Sequence, residues 1–434
     1  MTVTTLAVIV SFFAAFSMYI AARLTGFRLT SRQLSGLFWT VCALSFAFGM
    51  VSNPKVVFDG ATMGVKTWWN IVFPSLLPFF IASELLMSFG LVNFIGVLME
   101  PLMRPLFNVP GCGSFVMCIG YTSGYPIGAM VTARLRAQKQ CTRVEAERLI
   151  SFTNNSSPLF MIVAISVGMF GRPDLAVVIA GAHYLANLTL GLFMRFYGRG
   201  DSESIPIGAN PLGNIFQRAF RELSSSWEKE SRPLGKIIGD SVRNAVNNLL
   251  AIGGFIILFA VIIRLITEAG IISRLAALLG TFLGPLGFSP EIMPALASGL
   301  FEMTIGSKMV SETSAPLIQQ VAAVEILLAW SGLSIIAQVA GMISETDIRI
   351  APFILARLAH AVIAVIYTIF LFGPAIPLTA SLISPASATI ERMCEAPALF
   401  TSLALSGALL FSGVLILLSI SLIIIGLKRV RIYL

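Results

Sequence analysis

Long apolar runs follow one another through almost the whole chain. They lie at 5–22, 35–52, 70–90, 91–107, 112–133, 149–170 and 174–194, and then at 247–268, 271–288, 291–307, 322–343, 351–373 and 398–426. A helix needs roughly 20 predominantly apolar residues to cross a bilayer core, and inside lipid each backbone N–H and C=O must find its partner within the protein. The pattern therefore predicts an all-α polytopic membrane protein. Thirteen such helices would use about 260 residues of the 434, which leaves no room for a large soluble domain. Only 12% of residues are charged, about half the share in an average soluble domain.

The charges that remain are informative by position. Lys and Arg number 29 against 21 acids, a net charge of +8, read here as membrane topology and not as nucleic-acid binding. The five cysteines, Cys42, Cys112, Cys118, Cys141 and Cys394, form no C-x-x-C pair, so neither a disulfide framework nor a metal centre is expected. The first apolar run, Thr5 to Ala22, has no basic segment before it and is followed by Arg23, Arg28 and Arg32; it reads as a spanning helix and not as a cleaved signal. No phosphate-binding loop, dinucleotide fingerprint, H-E-x-x-H or G-x-S-x-G element occurs. The chain is expected to be neither an enzyme nor an ATPase and to hold no cofactor, so any transport would run on an ion gradient or on the solute's own.

The two halves look like copies. At an offset of 180, Gly90, Leu98, Pro105, Leu106 and Pro110 fall on Gly270, Leu278, Pro285, Leu286 and Pro290. At 178, Ile127-Gly128 falls on Ile305-Gly306 and Glu147 on Glu325, and at 177 the chain's two histidines coincide, His183 on His360. This divides the chain into N-terminal helices at 1–60, a first repeat at 68–195, a basic amphipathic linker at 196–245, a second repeat at 246–373 and a C-terminal loop and helix at 374–434. Loop 131–148 carries Arg134, Arg136, Lys139, Arg143 and Arg148, whereas its counterpart 309–326 carries no Lys or Arg. The positive-inside rule then makes the repeats inverted across the membrane, each with five crossings or with three and a re-entrant hairpin. The linker and the terminal Lys428, Arg429 and Arg431 fall on the cytoplasmic side in this arrangement.

Inverted repeats place a solute near the midplane, where broken helices offer backbone groups and helix ends. Breakers and polar residues do interrupt the apolar runs at matching places. Gly120 to Gly128, with Ser123, Tyr125 and Pro126, pairs with Ser298 to Lys308, which holds Glu302, Thr304 and Lys308; Thr153-Asn154-Asn155-Ser156-Ser157-Pro158 pairs with Ser331 to Ser334, leading to Gln338. Ser157-Pro158 is a helix-start signal, so a half-helix beginning there would aim its positive end at an anion. The alternative for the polar cluster is that its amides and hydroxyls join neighbouring helices. Glu302 reads as a cation site, a proton carrier or a hydrogen-bonding group, and Lys308 as an anion-attracting charge or an interfacial snorkel. Glu84 and Arg264, equivalent at offset 180, read as an ion pair or as interfacial groups. His183 and His360 read as a proton relay or as packing groups, and Arg148 and Arg357 as interfacial anchors.

Several stretches together resemble the YlbJ-type sporulation integral membrane proteins of endospore-forming bacteria. They are Trp68 to Phe80, Glu100 to Phe107, Ser123-Gly124-Tyr125-Pro126, Thr132 to Arg136, Glu145 to Leu149 and Ser151 to Asn154. That family lies in the nucleoside-recognition or gate-domain group, which is similar to concentrative nucleoside transporters in its duplicated, broken-helix elements. The resemblance implies a transporter that moves dipicolinic acid across the outer forespore membrane; if an ion gradient drives it, a proton or sodium is the coupling ion to expect. Dipicolinate, a planar aromatic with two carboxylates, would suit Asn154, Asn155, Ser156 and Ser157, with Tyr125 stacked on its ring. Glu302 would repel that dianion unless protonated or cation-bound. Two further readings stay open: transport of a nucleoside-like or other neutral solute, for which Glu302 and Asn154 would bind hydroxyls, and a membrane scaffold for spore assembly.

Overall fold

A computed structural model describes residues 30–200 and 215–391; the first apolar run, the middle of the linker and the C-terminal run with its basic tail lie outside them. The described residues are helical, with no strand among them. In chain order, α1 (Ser31–Ser52) precedes α2 (Pro54–Thr67), which passes through the π-type turn Trp68–Val72 directly into α3 (Phe73–Ser88). Then come α4 (Leu91–Leu102), α5 (Gly113–Ser123), α6 (Ile127–Ala137), α7 (Arg143–Thr153), the π-wound α8 (Phe160–Met169) and α9 (Ala176–Met194). The second half has α10 (Ile215–Lys229), α11 (Leu234–Glu268), α12 (Ile271–Leu283), α13 (Met293–Gly299), α14 (Met303–Ser311), α15 (Leu317–Trp330), α16 (Gly332–Ile343) and α17 (Ile350–Glu391).

The same series of elements occurs twice. A 35-residue apolar helix, Pro54–Ser88 in the first half and Leu234–Glu268 in the second, leads through a left-handed glycine, Gly90 at φ 75° and Gly270 at φ 74°, into a shorter helix. Two short helices, a broken helix and a long final helix follow in each half. The correspondence starts earlier than the sequence matches do: residues 234–245, read above as linker, belong to α11. The hydrophobic run that marks a spanning helix begins only where the helix enters lipid, so its polar first turns look like a loop in sequence. Within the linker, α10 packs on α4, with Phe94 and Phe220 edge to face at 5.2 Å and the Trp227 indole donating to the Phe89 carbonyl at 3.0 Å.

Among the described residues, five helical stretches are long and apolar enough to cross a membrane: Pro54–Ser88, Pro173–Met194, Leu234–Glu268, Leu317–Ile343 and Ile350–Gly373. The chain is an integral membrane protein. Large apolar side chains point outward along these helices, among them Phe58, Phe193, Leu250, Leu355, Val362 and Phe370, as lipid contact requires. Glu84 and Arg264 are not paired: Glu84 accepts from Asn244 at 3.1 Å, while the Arg264 stem lies against Gly60.

At one end of the molecule the halves are tied by charge. Arg136 forms a two-pronged pair with Asp347 at 2.8 and 2.7 Å, and Arg349 reaches both oxygens of Glu147 at 2.8 and 3.0 Å. Burial by itself would raise the Glu147 carboxyl, but hydrogen bonds from Arg349 and Tyr197 hold it below its ordinary value. The Arg136 contact likewise lowers Asp347. Thr142 and Glu145 close a reciprocal capping box at the start of α7. Arg148 is no interfacial anchor: it is buried and donates to the carbonyls of Asn108 and Tyr197.

Candidate functional site

Each half contains two helix breaks, and the two breaks of a half dock on each other. In the first half, helix ends at Thr153 and resumes at Pro158, where Ser157 Oγ accepts from the Phe160 amide at 3.3 Å; the expected Ser-Pro start is present. The break lies so close to the α5–α6 connection that a Cβ on Gly120 would sit 2.0 Å, and one on Gly128 2.6 Å, from the Thr153 carbonyl oxygen. Gly124, at φ 77°, turns the chain between α5 and α6, where a Cβ would meet the Ser157 amide at 2.8 Å. In the second half, Ser331 (φ 69°) and Gly332 (φ 77°) separate α15 from α16. The freed Leu333 and Ser334 amides donate to the carbonyls of Leu300 and Phe301 at 2.9 and 3.0 Å, at the break between α13 and α14.

A narrow cavity of about 50 Å³ opens where the breaks of both halves converge, room for a few waters. The first half contributes Ser123, Gly124, Tyr125, Ser156 and Ser157, and the second contributes Glu302, Thr304, Ser334 and Gln338. Apolar side chains from α3, α8 and α11 add to the wall, Phe80, Phe160 and Phe255 among them. The Tyr125 hydroxyl donates to the Leu328 carbonyl at 2.5 Å, joining the first half to the end of α15. Glu302 caps α14: one oxygen accepts from the Ile305 amide at 2.7 Å and the other from Thr304 Oγ1 at 3.0 Å. Its carboxylate therefore faces a helix N-terminus, where negative charge is favoured.

Four of the expected residues are not at the cavity. Thr153, Asn154 and Asn155 are fully buried behind its wall; Thr153 turns its hydroxyl back to the Leu149 carbonyl at 2.7 Å. The chain crosses the break with only Ser156 and Ser157 on the cavity side, an alternation invisible in a run of six polar letters. Lys308 lies one helical turn beyond the cavity, in a separate outer cleft with Asp59, Lys66 and Glu312, and pairs with Glu312 at 3.1 Å.

Residues 70–173 match the profile of a protein family described as Gate: Nucleoside recognition. Over 325 residues the chain is 47% identical to the sporulation integral membrane protein YlbJ of Bacillus subtilis (strain 168), covering 75% of this chain and 80% of that protein. The chain belongs to the YlbJ family. A weaker match, 30% identical over 165 residues, 36% of this chain and 34% of the relative, is to the uncharacterized protein BpOF4_10220 of Alkalihalophilus pseudofirmus (strain ATCC BAA-2126 / JCM 17055 / OF4). No solved structure matches the chain.

In this member of the YlbJ family, the broken segment 152–156 is held by Arg357 and His183, which the sequence suggested for other roles, and by Tyr184 and Asn187, which it did not single out. Arg357 is fully buried and is not an interfacial anchor; its guanidinium donates to the carbonyls of Asn154, at 3.0 Å, and Ser151. From α9, Asn187 donates to the Phe152 carbonyl at 2.5 Å, and Tyr184 to the Ser156 carbonyl at 3.1 Å. His183 Nε2 accepts from the Ser156 amide at 3.3 Å. The carbonyls freed by ending α7 are thus met by side chains on α9 and α17. The signal in sequence was a buried Arg at Arg357 and a polar His-Tyr-x-x-Asn face on α9, both inside apolar runs and both far in sequence from the break they serve.

Proposed function

We propose that this protein is a secondary transporter that carries dipicolinate across the outer forespore membrane by alternating access between two inverted halves. The observation that carries this reading is the cavity itself: helix breaks from both halves converge on one small space lined by hydroxyls, an amide and a carboxylate, the arrangement from which transporters build midplane sites. Family membership supports the sporulation context, and the repeated element order supports the duplication.

Inversion draws support from the charge ties. The broken helix Leu317–Ile343 is long and apolar enough to cross a membrane, and a crossing there would put the loops at its two ends, 309–316 and 344–349, on opposite faces. Loop 344–349 is bonded to loop 131–148 through Asp347 and Arg349. Loop 131–148 and its counterpart before α15 then fall on opposite sides, as their opposite charge predicts.

Chemically, Ser123, Ser156 and Ser157 present hydroxyl donors to a carboxylate, and the N-terminus of α8 behind Ser157 adds its positive end. The aromatic wall fits a planar ring. A solute of this size enters only when the helices around the narrow cavity part, which is what alternating access provides. Glu302, held by the Ile305 amide and the Thr304 hydroxyl, would line the site beside a dianion when protonated or cation-bound.

Uptake of labelled dipicolinate into liposomes containing the full chain tests the reading, with unlabelled nucleosides as competitors. Saturable uptake that nucleosides leave unchanged is expected. Competition by nucleosides would favour the second reading, a nucleoside-like solute, which the matched gate profile and the Glu302–Thr304 and Gln338 polar groups support. Spores carrying Asn155→Ala with Ser156→Ala should be depleted of dipicolinate while its synthesis and the membrane level of the protein stay normal; undiminished spore dipicolinate would instead support a scaffold.

A further inference from the structure

A second polar cluster lies behind the cavity and is unused by the reading above. His183 on α9 and His360 on α17, the chain's two histidines, pack with ring centroids 4.6 Å apart at a tilt of 52°, both fully buried. Glu325 on α15 is also fully buried, and neither of its oxygens has a hydrogen-bond partner among the described residues. One of them lies 3.4 Å from His183 Nδ1, within ion-pair range but out of hydrogen-bond alignment.

The tautomers follow from the partners. His183 Nε2 accepts from the Ser156 amide, so a neutral ring carries its hydrogen on Nδ1, facing Glu325. His360 Nε2 lies 3.1 Å from the His183 carbonyl, to which it donates. A carboxylate held from water with no donor is costly, and the protein then keeps such a group neutral or paired. A protonated Glu325 offers the Nδ1–H only a neutral carbonyl oxygen, a weaker acceptor than a carboxylate, and the 3.4 Å gap stays open. Once its proton leaves, the carboxylate becomes an acceptor for that same Nδ1–H and draws the imidazole toward it. The imidazole's other nitrogen holds Ser156, a cavity-lining residue. The gain or loss of one proton thus pulls on the cavity wall.

We propose that Glu325 and His183 form the transferable-proton site of this protein, Glu325 carrying the proton and His183 linking its charge state to the broken helix at Ser156. The coupling of that proton to solute movement rests on the transport reading above; the titration of the site does not. The ionisable groups around it are His360 and Arg357 from α17, Tyr184 from α9, and Tyr121 and Tyr125 from α5 and its following turn. Arg357, which pairs with no carboxylate among the described residues, places a positive charge near His183. Of the other helices packed on α15, α13 carries no ionisable group, and on α14 Glu302 caps its own helix and Lys308 pairs with Glu312.

Two variants carry the test, Glu325→Gln and His183→Gln, so that poor folding of one leaves the other. In proteoliposomes, wild type should accumulate dipicolinate in response to an imposed pH gradient; both variants should lose that response, while dipicolinate counterflow, which needs no net proton movement, persists in Glu325→Gln. Gradient-driven accumulation unchanged in the variants would overturn the proposal and leave the transport reading standing. Absence of wild-type counterflow would sink the transport reading instead, and a substrate-free arm then decides the proton site alone. In lipid-reconstituted full chain, pH-difference infrared spectra should contain a buried-carboxyl band that Glu325→Gln removes and His183→Gln shifts. A wild-type spectrum that neither change alters would overturn the site.

Discussion

Gly120 and Glu302 show how much single positions decide in this protein. A Cβ at Gly120 would sit 2.0 Å from the backbone oxygen of Thr153, and backbone inside a helix junction has nowhere to move. Gly120→Ala is therefore expected to destabilise the fold by about 2 kcal/mol, the scale of core overpacking, read as a lowered unfolding temperature in detergent. Glu302 has two separable roles. As the cap of α14 it accepts from Ile305 and Thr304, and Glu302→Ala should cost about 1 kcal/mol for the lost cap. Glu302→Gln retains an oxygen for the Ile305 amide, so it should keep most of that stability. A transport defect in the Gln variant at near-normal thermal stability would assign the charge itself to the solute pathway. Glu147 and Glu325, equivalent in the two halves, are a further contrast. The first is met by Arg349 and Tyr197; the second has no hydrogen-bonding partner among the described residues.

At the scale of elements, the broken helix α7–α8 stands because other helices satisfy what it leaves open. Arg357 spans two carbonyls, those of Ser151 and Asn154, with a planar fork that a lysine cannot reproduce. Arg357→Lys should therefore behave nearly as badly as Arg357→Ala, with both giving poorly folded protein by size-exclusion chromatography. A well-folded lysine variant would mean that charge alone holds the break. Tyr184→Phe removes one donor to the Ser156 carbonyl and should cost about 1 kcal/mol, visible as a smaller drop in unfolding temperature. The break was legible in the sequence at its start, where Ser157-Pro158 announces a helix N-terminus. Its supports were not, because α9 and α17 reach it only through tertiary packing.

Across the whole molecule, the two halves are clamped at one end by Arg136–Asp347 and Arg349–Glu147. Glu147 is held below its ordinary value, so its stabilising contribution is complete above the ordinary carboxylate range and is lost as pH falls through the depressed folded value. Unfolding temperatures of wild type and Arg349→Ala should thus differ at neutral pH and converge in acid. A gap that stays constant at every pH would mean that Arg349 acts through packing alone.

The sequence by itself determined the solvent in which this chain folds, since long apolar runs with few charges leave a bilayer as the medium. It also located the helix breaks, because Gly, Pro and clustered polar residues cannot sit in lipid without a purpose. Which polar residues face the cavity was decided by tertiary structure. Six adjacent polar positions look alike in sequence, yet the path of the chain through the break turns Ser156 and Ser157 inward and hides Thr153, Asn154 and Asn155. The meeting of His183 with Glu325 and His360 likewise arises from the packing of α9, α15 and α17, since residues so far apart in sequence are brought together only by the way helices cross.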